Sequence, residues 1–347
     1  MHKATIKDIA GQAGVSTTAV SMALNKRGGV SEKTRKRILK IAEKLDYQPN
    51  LAAKSLVSNR TQTIGLVMNN IADPFYPEMA LGIEEKAAEH GYSLLVSNIG
   101  GCLDKEKKSI DMLRARGVDG VIITTATSDD PNIGPLAEAK FPLVLVSRFS
   151  MDPALKNRID YVVVDDHACG YQGVAHLYRL GHDRIALITG TIKASTTAIR
   201  VEASKQALND FGMDTDSQLV VACDFVRQRA QEAAKALLAM KNRPTAFFAQ
   251  DDYMAMGVRE AILNENLRIP EDIALMGVDD IEMASLAGVD LTTIKSNPYQ
   301  MGATGAEILI NKIELSDSDS AMVNQVIMET RLIKRKSCGF HATGYVR

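Results

Sequence analysis

The chain has 347 residues, of which 46% are apolar and 24% charged, so it can bury large cores and we expect two or three globular domains. No apolar run approaches the roughly 18 residues of a membrane span, and the N-terminus lacks an export signal, so we expect a cytoplasmic protein. Four dispersed cysteines without a Cys-x-x-Cys pair predict reduced, mostly buried thiols, and the scattered histidines lack metal-ligand spacing.

The near-neutral net charge of −1 conceals an uneven distribution along the chain. Residues 1–60 contain 12 Lys and Arg against 4 Asp and Glu, whereas the remainder contains 29 against 38. A run of basic residues is often only the solvent-exposed face of a helix. On a helical N-terminal segment, however, it is also typical of nucleic-acid-binding proteins.

The first elements predicted are two short helices within residues 5–25. Apolar residues recur at helical spacing from Ile6 to Ala13, Thr5 can cap this helix, and Gly14 ends it. Ser16 can cap a second helix, whose inward residues would be Val20, Ala23 and Leu24. This pattern predicts a helix-turn-helix that enters the major groove of DNA, and a hairpin that only packs is the alternative.

The outward face of the second helix carries short side chains that can approach base edges closely. A third helix, with Ile38, Ile41, Ala42 and Leu45 facing inward and Lys and Arg outside, would complete a three-helix domain over residues 1–48. Thr17, Thr18 and Met22 are the predicted base readers. The full predicted set of DNA contacts in this domain is Thr5, Ser16, Thr17, Thr18, Ser21, Met22, Asn25 and Ser31.

Residues 49–61 form a separate segment, which begins with Pro49. Residues 50–58 can form about two helical turns, but so short a helix is marginal without a partner. The alternative is a plain flexible linker.

From Thr63 onward, short β-branched or aliphatic runs alternate with longer amphipathic segments. This alternation predicts parallel sheets covered on both faces by helices. About ten such units are too many for one ordinary sheet, so we predict two similar lobes that divide near residue 160. The strand-like runs are residues 63–68, 92–97, 120–125, 142–147, 161–165, 184–190, 218–223, 245–249, 273–278 and 291–294.

Several motifs occur in a characteristic order: TIKDIAGQAGVSTTAVSMALN, GGVSEKTRKRI, LDYQPNLAAKSL, TIGLVMNNIADPFY, GHDRIALITG, AQDDYMAMGV and ALMGVDDIEMA. With these motifs the chain resembles the LacI/GalR family of bacterial transcription regulators along nearly its whole length. Two departures concern the second helix, where Ala19 and Met22 replace the usual Thr and Arg. The missing Arg removes a guanine-reading donor, so the operator sequence is less transferable than the fold.

The resemblance implies a helix-turn-helix domain, a hinge helix over residues 49–61, and a two-lobed α/β body like the type I periplasmic sugar-binding proteins over residues 62–334. The hinge helix would order on DNA and insert Leu56 into the minor groove, with Asn50, Ala53 and Lys54 as further contacts. Three crossings between lobes are implied. We place residues 62–160 and 291–320 in the first lobe, 161–290 and 321–334 in the second, and 335–347 in a C-terminal tail.

Ligands of open α/β sheets bind at the carboxyl ends of strands, where this sequence becomes polar and aromatic. Carboxylates and an arginine can each hold neighbouring hydroxyls, and Phe75 and Phe225 can cover the apolar face of a sugar ring. Each residue also has a structural alternative, helix capping for Asp and core packing for Phe, and we assign Asp251 and Asp280 to capping or lobe contacts. The residues matched to effector contacts in the family are Asp73, Phe75, Tyr76, Asp165, Thr196, Arg200, Phe225, Gln250 and Asp279.

Phosphate-binding, dinucleotide-binding and nucleophile-elbow motifs do not occur in the sequence, so we expect neither an enzyme nor a cofactor. The alternatives to a DNA-binding regulator are a sugar-binding transport protein, which the basic N-terminus argues against, and an α/β enzyme. We expect a repressor that binds a near-palindromic DNA site as a homodimer, since one helix-turn-helix has too small a footprint. The expected effector is a sugar or sugar derivative acting as an inducer, and the tail lacks the leucine heptads of a tetramer.

Overall fold

The computed structural model describes residues 4–24, 28–47, 60–213, 216–315 and 322–339. The chain divides into two compact units, residues 1–61 and 62–347, which are described separately below. None of the helices in these ranges is long and apolar enough to cross a bilayer.

The N-terminal unit consists of α1 (Ile6–Ala13), α2 (Thr17–Leu24) and α3 (Glu32–Lys44). A reciprocal capping box between Thr5 and Asp8 starts α1, and Gly14 ends it in the left-handed conformation with φ 61°. The predicted boundaries of this helix are therefore confirmed.

A small apolar core holds the three helices together. Ile9, Val20 and Ile38 are fully buried, one from each helix, and small alanines fill the space between them. Leu24, Ile41 and Leu45 pack against this core while partly exposed, so the predicted inward faces are correct.

The first lobe of the body contains a six-stranded sheet with β2 and β11 at its edges, in the order β2-β1-β3-β4-β5-β11, and all strands are parallel. Its strands are β1 (Thr63–Met68), β2 (Ser93–Asn98), β3 (Gly120–Ile123), β4 (Leu143–Val146), β5 (Asp160–Val164) and β11 (Gln325–Met328). Its helices are α4 (Phe75–Glu89), α5 (Leu103–Ala115), α6 (Ile133–Glu138) and α11 (Pro298–Glu314).

The second lobe repeats this arrangement in the order β7-β6-β8-β9-β10-β12, except that β12 runs antiparallel to β10. Its strands are β6 (Ile185–Thr189), β7 (Val220–Ala222), β8 (Ala246–Ala249), β9 (Ala274–Asp279), β10 (Thr292–Lys295) and β12 (Arg331–Ile333). Its helices are α7 (Asp166–Arg179), α8 (Ser195–Asp210), α9 (Arg227–Leu238) and α10 (Asp252–Asn264).

The chain crosses between the lobes three times, after β5, after β10 and after β11. These positions correct three boundaries predicted from the sequence. Residues 161–165 were expected to open the second lobe, but β5 pairs with β4 in the first sheet, and residues 291–294 belong to the second sheet through β10. β11, expected in the second lobe, pairs in parallel with β5.

The predicted C-terminal tail also begins too early. Ser337 and Cys338 are buried, and the hydroxyl of Ser337 donates to the carbonyl of Leu275 in β9 at 2.6 Å. Residues 335–339 are therefore part of the second lobe. The cysteines match expectation, since all four are free and only Cys102 is partly exposed.

Glycines allow the closest helix contacts of both lobes. A Cβ atom at Gly82 of α4 would lie 2.0 Å from the carbonyl oxygen of Tyr299 in α11, and one at Gly170 of α7 would lie 2.3 Å from that of Arg200 in α8. Backbone approach at this distance leaves no room for a side chain. The close contact at Gly170 sets the position of Arg200 relative to α7.

Candidate functional sites

The outward face of α2 presents the predicted base-reading residues. Thr17 and Thr18 are exposed at its N-terminal end, and Ser21 and Met22 are half-exposed one turn later. The amide of Ala19 donates to the Ser16 hydroxyl at 3.1 Å, which fixes the start of the helix. Short side chains at the exposed end of a helix are compatible with docking in a major groove.

Three of the predicted DNA-binding residues cap helices. Thr5, Ser16 and Ser31 accept backbone N–H groups at the starts of α1, α2 and α3. Helix N-termini attract phosphate because their amides and dipoles carry partial positive charge. The exposed cations of α3 add to this potential and are Lys33, Lys36, Arg37, Lys40 and Lys44.

Five predicted DNA contacts lie outside the residues that the structure describes. They are Asn25 and the hinge residues Asn50, Ala53, Lys54 and Leu56.

The first lobe contributes a buried acid and two aromatic rings beyond the end of β1. Asp73 accepts the backbone N–H of Phe75 at 3.1 Å, and the rings of Phe75 and Tyr76 meet edge to face at 5.2 Å. Burial, and then the nearby carboxylate of Asp251 from the second lobe, raises the pKa of Asp73 to about 8. Burial also raises the pKa of Tyr76 to about 12. The interaction with Asp251 places these groups at the face between the lobes.

In the second lobe, Arg200 is the centre of a buried polar network. Its Nε donates to Asp166 Oδ1 at 2.7 Å, and its Nη1 donates to the backbone carbonyl of Gln250 at 2.6 Å. Burial disfavours the charged guanidinium, but Asp166, Cys169 and Asp279 together outweigh this effect, so the pKa of Arg200 is raised. Arg200 therefore stays charged and joins α7, α8 and the end of β8.

Asp165 and Asp166 have different roles at the first crossing. Asp165 is exposed and caps α7 by accepting the N–H of Ala168 at 2.8 Å, whereas Asp166 is buried against Arg200. The sequence pattern predicted Asp165 as an effector contact and did not predict the buried Asp166. The Asp doublet before a helix was a usable signal, because only the first of the two can serve as the N-cap.

Two further acids follow strands β8 and β9. Asp251 caps α10, as predicted, and burial is the main reason that its pKa is raised to about 6. Burial also raises the pKa of Asp279, and Arg200 opposes this shift. Asp279 has a positive φ of 117°, so the backbone itself is strained where this carboxylate is placed. Asp280 instead pairs with Arg335 at 2.6 Å.

Phe225 is held between a glycine and an arginine. A Cβ atom at Gly190 would lie 2.0 Å from its ring, and the guanidinium of Arg148 lies over that ring with 5.2 Å between Cζ and the centroid. Arg148 follows β4 of the first lobe, so this contact spans the two lobes. Arg148 was not among the predicted site residues, although it directly follows the strand-like run of residues 142–147.

Several buried polar atoms around this network have no hydrogen-bond partner. Gln250 is fully buried, and neither its Nε2 nor its Oε1 is paired. Three other buried atoms also lack a hydrogen-bond partner, namely Asp166 Oδ2, Asp251 Oδ2 and Thr197 Oγ1. The predicted contact Thr196, which is next to Thr197 in the chain, is buried as well. Unpaired buried polar groups are costly, so these atoms are candidate hydrogen-bond partners for a polar ligand.

Direct hydrogen bonds also join the lobes beside this site. The amide and the hydroxyl of Ser128 both donate to the carbonyl of Lys193, at 2.7 and 3.0 Å, and the amide of Phe149 donates to the Ser195 hydroxyl at 3.1 Å. The first lobe thus contacts the N-terminal end of α8, which carries Arg200. Across the described ranges, no group of three or more His, Cys, Asp or Glu residues is arranged to hold a metal ion.

A helical unit of this kind joined to a two-lobed body with a polar interlobe site defines a ligand-responsive DNA-binding regulator, and comparison with known proteins agrees. Residues 5–50 match the model of bacterial regulatory proteins of the lacI family, and residues 61–336 match that of periplasmic binding proteins and the sugar-binding domain of the LacI family. The chain belongs to the LacI family.

Similar proteins include the transcriptional repressor PurR of Aliivibrio salmonicida, 32% identical over 335 residues, which are 96% of this chain and 98% of the relative. The regulator DegA of Bacillus subtilis is 34% identical, covering 87% of this chain and 89% of its own length. Both relatives are named as transcription regulators.

Solved structures agree along almost the whole chain. A lac repressor dimer bound to operator and the anti-inducer ONPF is 26% identical with a TM-score of 0.83, covering 97% of this chain and 99% of that one. The complex of the regulator CelR with cellobiose is 28% identical with a TM-score of 0.73, covering 96% and 100%.

Proposed function

We propose that the protein is a cytoplasmic transcriptional repressor that binds a near-palindromic operator as a homodimer and whose operator affinity changes when a small effector binds between its lobes. Membership of a family of DNA-binding regulators supports this, as do relatives named as repressors and a similar lac repressor structure determined as a dimer on operator. The observation that carries the effector proposal is the fully buried, unpaired side-chain amide of Gln250, which directly follows β8 at the carboxyl edge of the second-lobe sheet.

The DNA-reading surface that we propose is the exposed end of α2. Thr17, Thr18 and Met22 would contact bases, Thr5, Ser16 and Ser31 would contact the DNA backbone at helix N-termini, and Ser21 would contact it one turn into α2. Asn25 and the hinge residues Asn50, Ala53, Lys54 and Leu56 complete the proposed interface. Residues 1–48, 49–61 and 62–339 are accordingly proposed as reader, hinge and effector-binding body.

The effector that we propose is a sugar or sugar derivative, a class that the cellobiose complex of CelR supports. Arg200, Gln250 and Asp279 would hold its hydroxyls from the second lobe, with Asp166 in the role first expected of Asp165. The remaining proposed contacts are Asp73, Phe75, Tyr76, Thr196 and Phe225.

Ligand response would arise from a change in the angle between the lobes. The hydrogen bonds from Ser128 to Lys193 and from Phe149 to Ser195 belong to one relative position of the lobes. A ligand that prefers another position weakens them, and a coupling of roughly 1 to 3 kcal/mol changes DNA affinity about 5- to 150-fold. We favour an inducer, which lowers operator affinity.

Selection of random duplexes with the full-length protein tests this function. We expect a near-palindromic consensus whose binding weakens steeply with salt, because phosphate contacts release counterions. A T18A variant should lose specific binding about tenfold while nonspecific binding is unchanged, because a base contact is worth about 1 to 3 kcal/mol. Failure to enrich any sequence at low ionic strength would refute the proposal.

A further inference from the structure

A pair of buried acids in the first lobe has no part in the candidate effector site. Glu106 lies on α5 and is fully buried, and Asp130 is 4% exposed in the segment that joins β3 to α6. The hydroxyl of Thr125 donates to Glu106 Oε2, and the side-chain amide of Asn132 donates to Glu106 Oε1 at 3.0 Å. A carboxyl group closed off from solvent is therefore bound by two uncharged donors.

Both acids hold the same stretch of chain, residues 125–132, which we call the β3–α6 segment. Asp130 accepts the backbone N–H groups of Thr127 at 3.1 Å and of Asn132 at 2.9 Å, so its carboxyl group shapes the turn. Glu106 binds the segment near both of its ends, through Thr125 and Asn132. These side-chain hydrogen bonds attach the β3–α6 segment to α5.

The β3–α6 segment also makes the contact of the first lobe with the second. The amide and the hydroxyl of Ser128 donate to a backbone carbonyl of the second lobe, at 2.7 and 3.0 Å. The carbonyl of Thr125 accepts Nη1 of Arg148, whose guanidinium lies over the ring of Phe225 in the second lobe. Glu106 is therefore placed behind two contacts that join the lobes.

The surroundings of Glu106 favour a proton on its carboxyl group. Burial, and then the nearby acid Asp130, raises the pKa of Glu106 to about 7. Every other charged residue of α5, of α6 and of the β3–α6 segment is exposed, and those nearest in the chain are Lys105, Lys107 and Asp129. Loss of the proton would leave a buried charge facing Asp130, which is costly.

From this arrangement we propose that a proton held on Glu106 against Asp130 fixes the β3–α6 segment to α5, and that loss of this proton releases the segment and weakens the contact between the lobes. Glu106 is a positioning residue, because it acts on the lobe contact through Thr125 and Asn132 and touches no residue of the second lobe in the hydrogen bonds described above. The inference goes beyond the proposed regulator, since it requires neither DNA nor an effector.

Amide hydrogen exchange of the full-length protein tests the inference. Protection of peptides that cover residues 124–132 is measured by mass spectrometry from pH 5 to pH 8.5, and each rate is divided by the intrinsic exchange rate at that pH. Opening of the segment lets Glu106 return toward its ordinary pKa of 4.5, so opening increases as pH rises toward 7 and then levels off. We expect protection to fall at least about tenfold between pH 5.5 and pH 7.5, while β3 stays protected.

Three variants isolate the cause. E106Q keeps a donor and an acceptor in the same place but cannot ionise, so its protection should stay high across the whole pH range. E106A removes both acceptors, and its protection should be low at every pH. E138Q changes an exposed acid of α6 and is the matched control, which should show the same fall as the wild type.

Two results would overturn the inference. One is wild-type protection that does not change with pH, and the other is an E106Q profile that falls as steeply as that of the wild type. Operator binding is measured on the same samples to keep the two proposals apart. Its absence would refute the proposed regulator, whereas the exchange profiles alone decide the role of Glu106.

Discussion

The two lobes share one sheet topology but carry different chemistry at the ends of their strands. Both place their strands in the same order, with a late strand, β11 or β12, added at one edge. The second lobe has Gln250, Asp251 and Asp279 at the ends of its central strands, and Arg200 joins the Gln250 carbonyl to Asp166. The first lobe has the isolated acid Asp73, the Tyr76 ring and Arg148.

This difference shows which properties of the site follow from the fold and which follow from its individual side chains. Parallel strands bring their carboxyl ends to one edge in both lobes, so position follows from topology. The second lobe forms a buried polar network among its own residues, whereas Asp73 and Arg148 of the first lobe interact with residues of the second. We therefore expect the second lobe to dominate stability at the site and the first to dominate its response to pH and to closure.

The largest effect is expected for R200A. It leaves Asp166 buried without its partner, which should lower the free energy of unfolding by about 3 to 5 kcal/mol and abolish the effector response. Operator affinity at low temperature should be retained. R179A removes an exposed arginine of α7 and is the matched control; a loss of stability equal to that of R179A, measured by denaturant unfolding, would contradict a buried network.

The next effect concerns Asp73 and pH. Its pKa of about 8 in the folded protein lies above the ordinary value of 3.8, so the folded state binds the extra proton and stability falls as pH rises from about 4 to 8. Between pH 5 and pH 8 this loss amounts to about 3 to 4 kcal/mol. D73N should remove it, giving a higher melting temperature than the wild type at pH 8 and a similar one at pH 5.

D104N changes an exposed carboxylate of α5 and serves as the matched control for this experiment. If D73N and the wild type show parallel stability curves over this pH range, Asp73 is not a buried acid with a raised pKa.

A smaller effect is expected from G82A in the first lobe. The added methyl would meet the Tyr299 carbonyl of α11, so α4 and α11 must separate, at a cost of about 1 to 3 kcal/mol. G134A places a methyl on α6 where the structure leaves open space, and should be neutral or slightly stabilising. Equal melting temperatures for the two variants would show that the helices tolerate the separation.

The smallest effect is expected from S128A, which removes one of the hydrogen bonds between the lobes. Such a bond contributes about 0.5 to 1.5 kcal/mol, so effector affinity should change about two- to tenfold with little change in stability. S285A loses a comparable hydroxyl bond, to the Glu282 carbonyl within the second lobe, and should leave ligand affinity unaltered. Identical ligand affinities for the two variants would mean that the Ser128 contact does not influence closure.

Local features were predictable because their causes are local. The Thr5 cap, the Gly14 stop and the apolar runs of β1 to β10 follow from neighbouring residues, and the structure confirms them.

Features that depend on distant partners were not predictable. The run in β5 is equally apolar whichever sheet it joins, and β11 and β12 are short, half-exposed strands that only their pairing defines. The burial of Asp166 depends on Arg200, 34 residues later, and that of Arg148 on the opposite lobe. Sequence patterns placed the candidate site at the carboxyl ends of the strands, but they did not determine which of the two adjacent acids Asp165 and Asp166 is buried.

The order of elements in the first lobe has a consequence for synthesis. Its sheet is completed by β11 and covered by α11, both of which lie beyond the entire α/β repeat of the second lobe. On the ribosome, the three-helix unit can fold as soon as residues 4–47 have emerged, because its contacts are all within one short stretch. The first lobe must wait with an unpaired edge until β11 has been synthesised, so nascent chains are vulnerable to aggregation while the second lobe is being made.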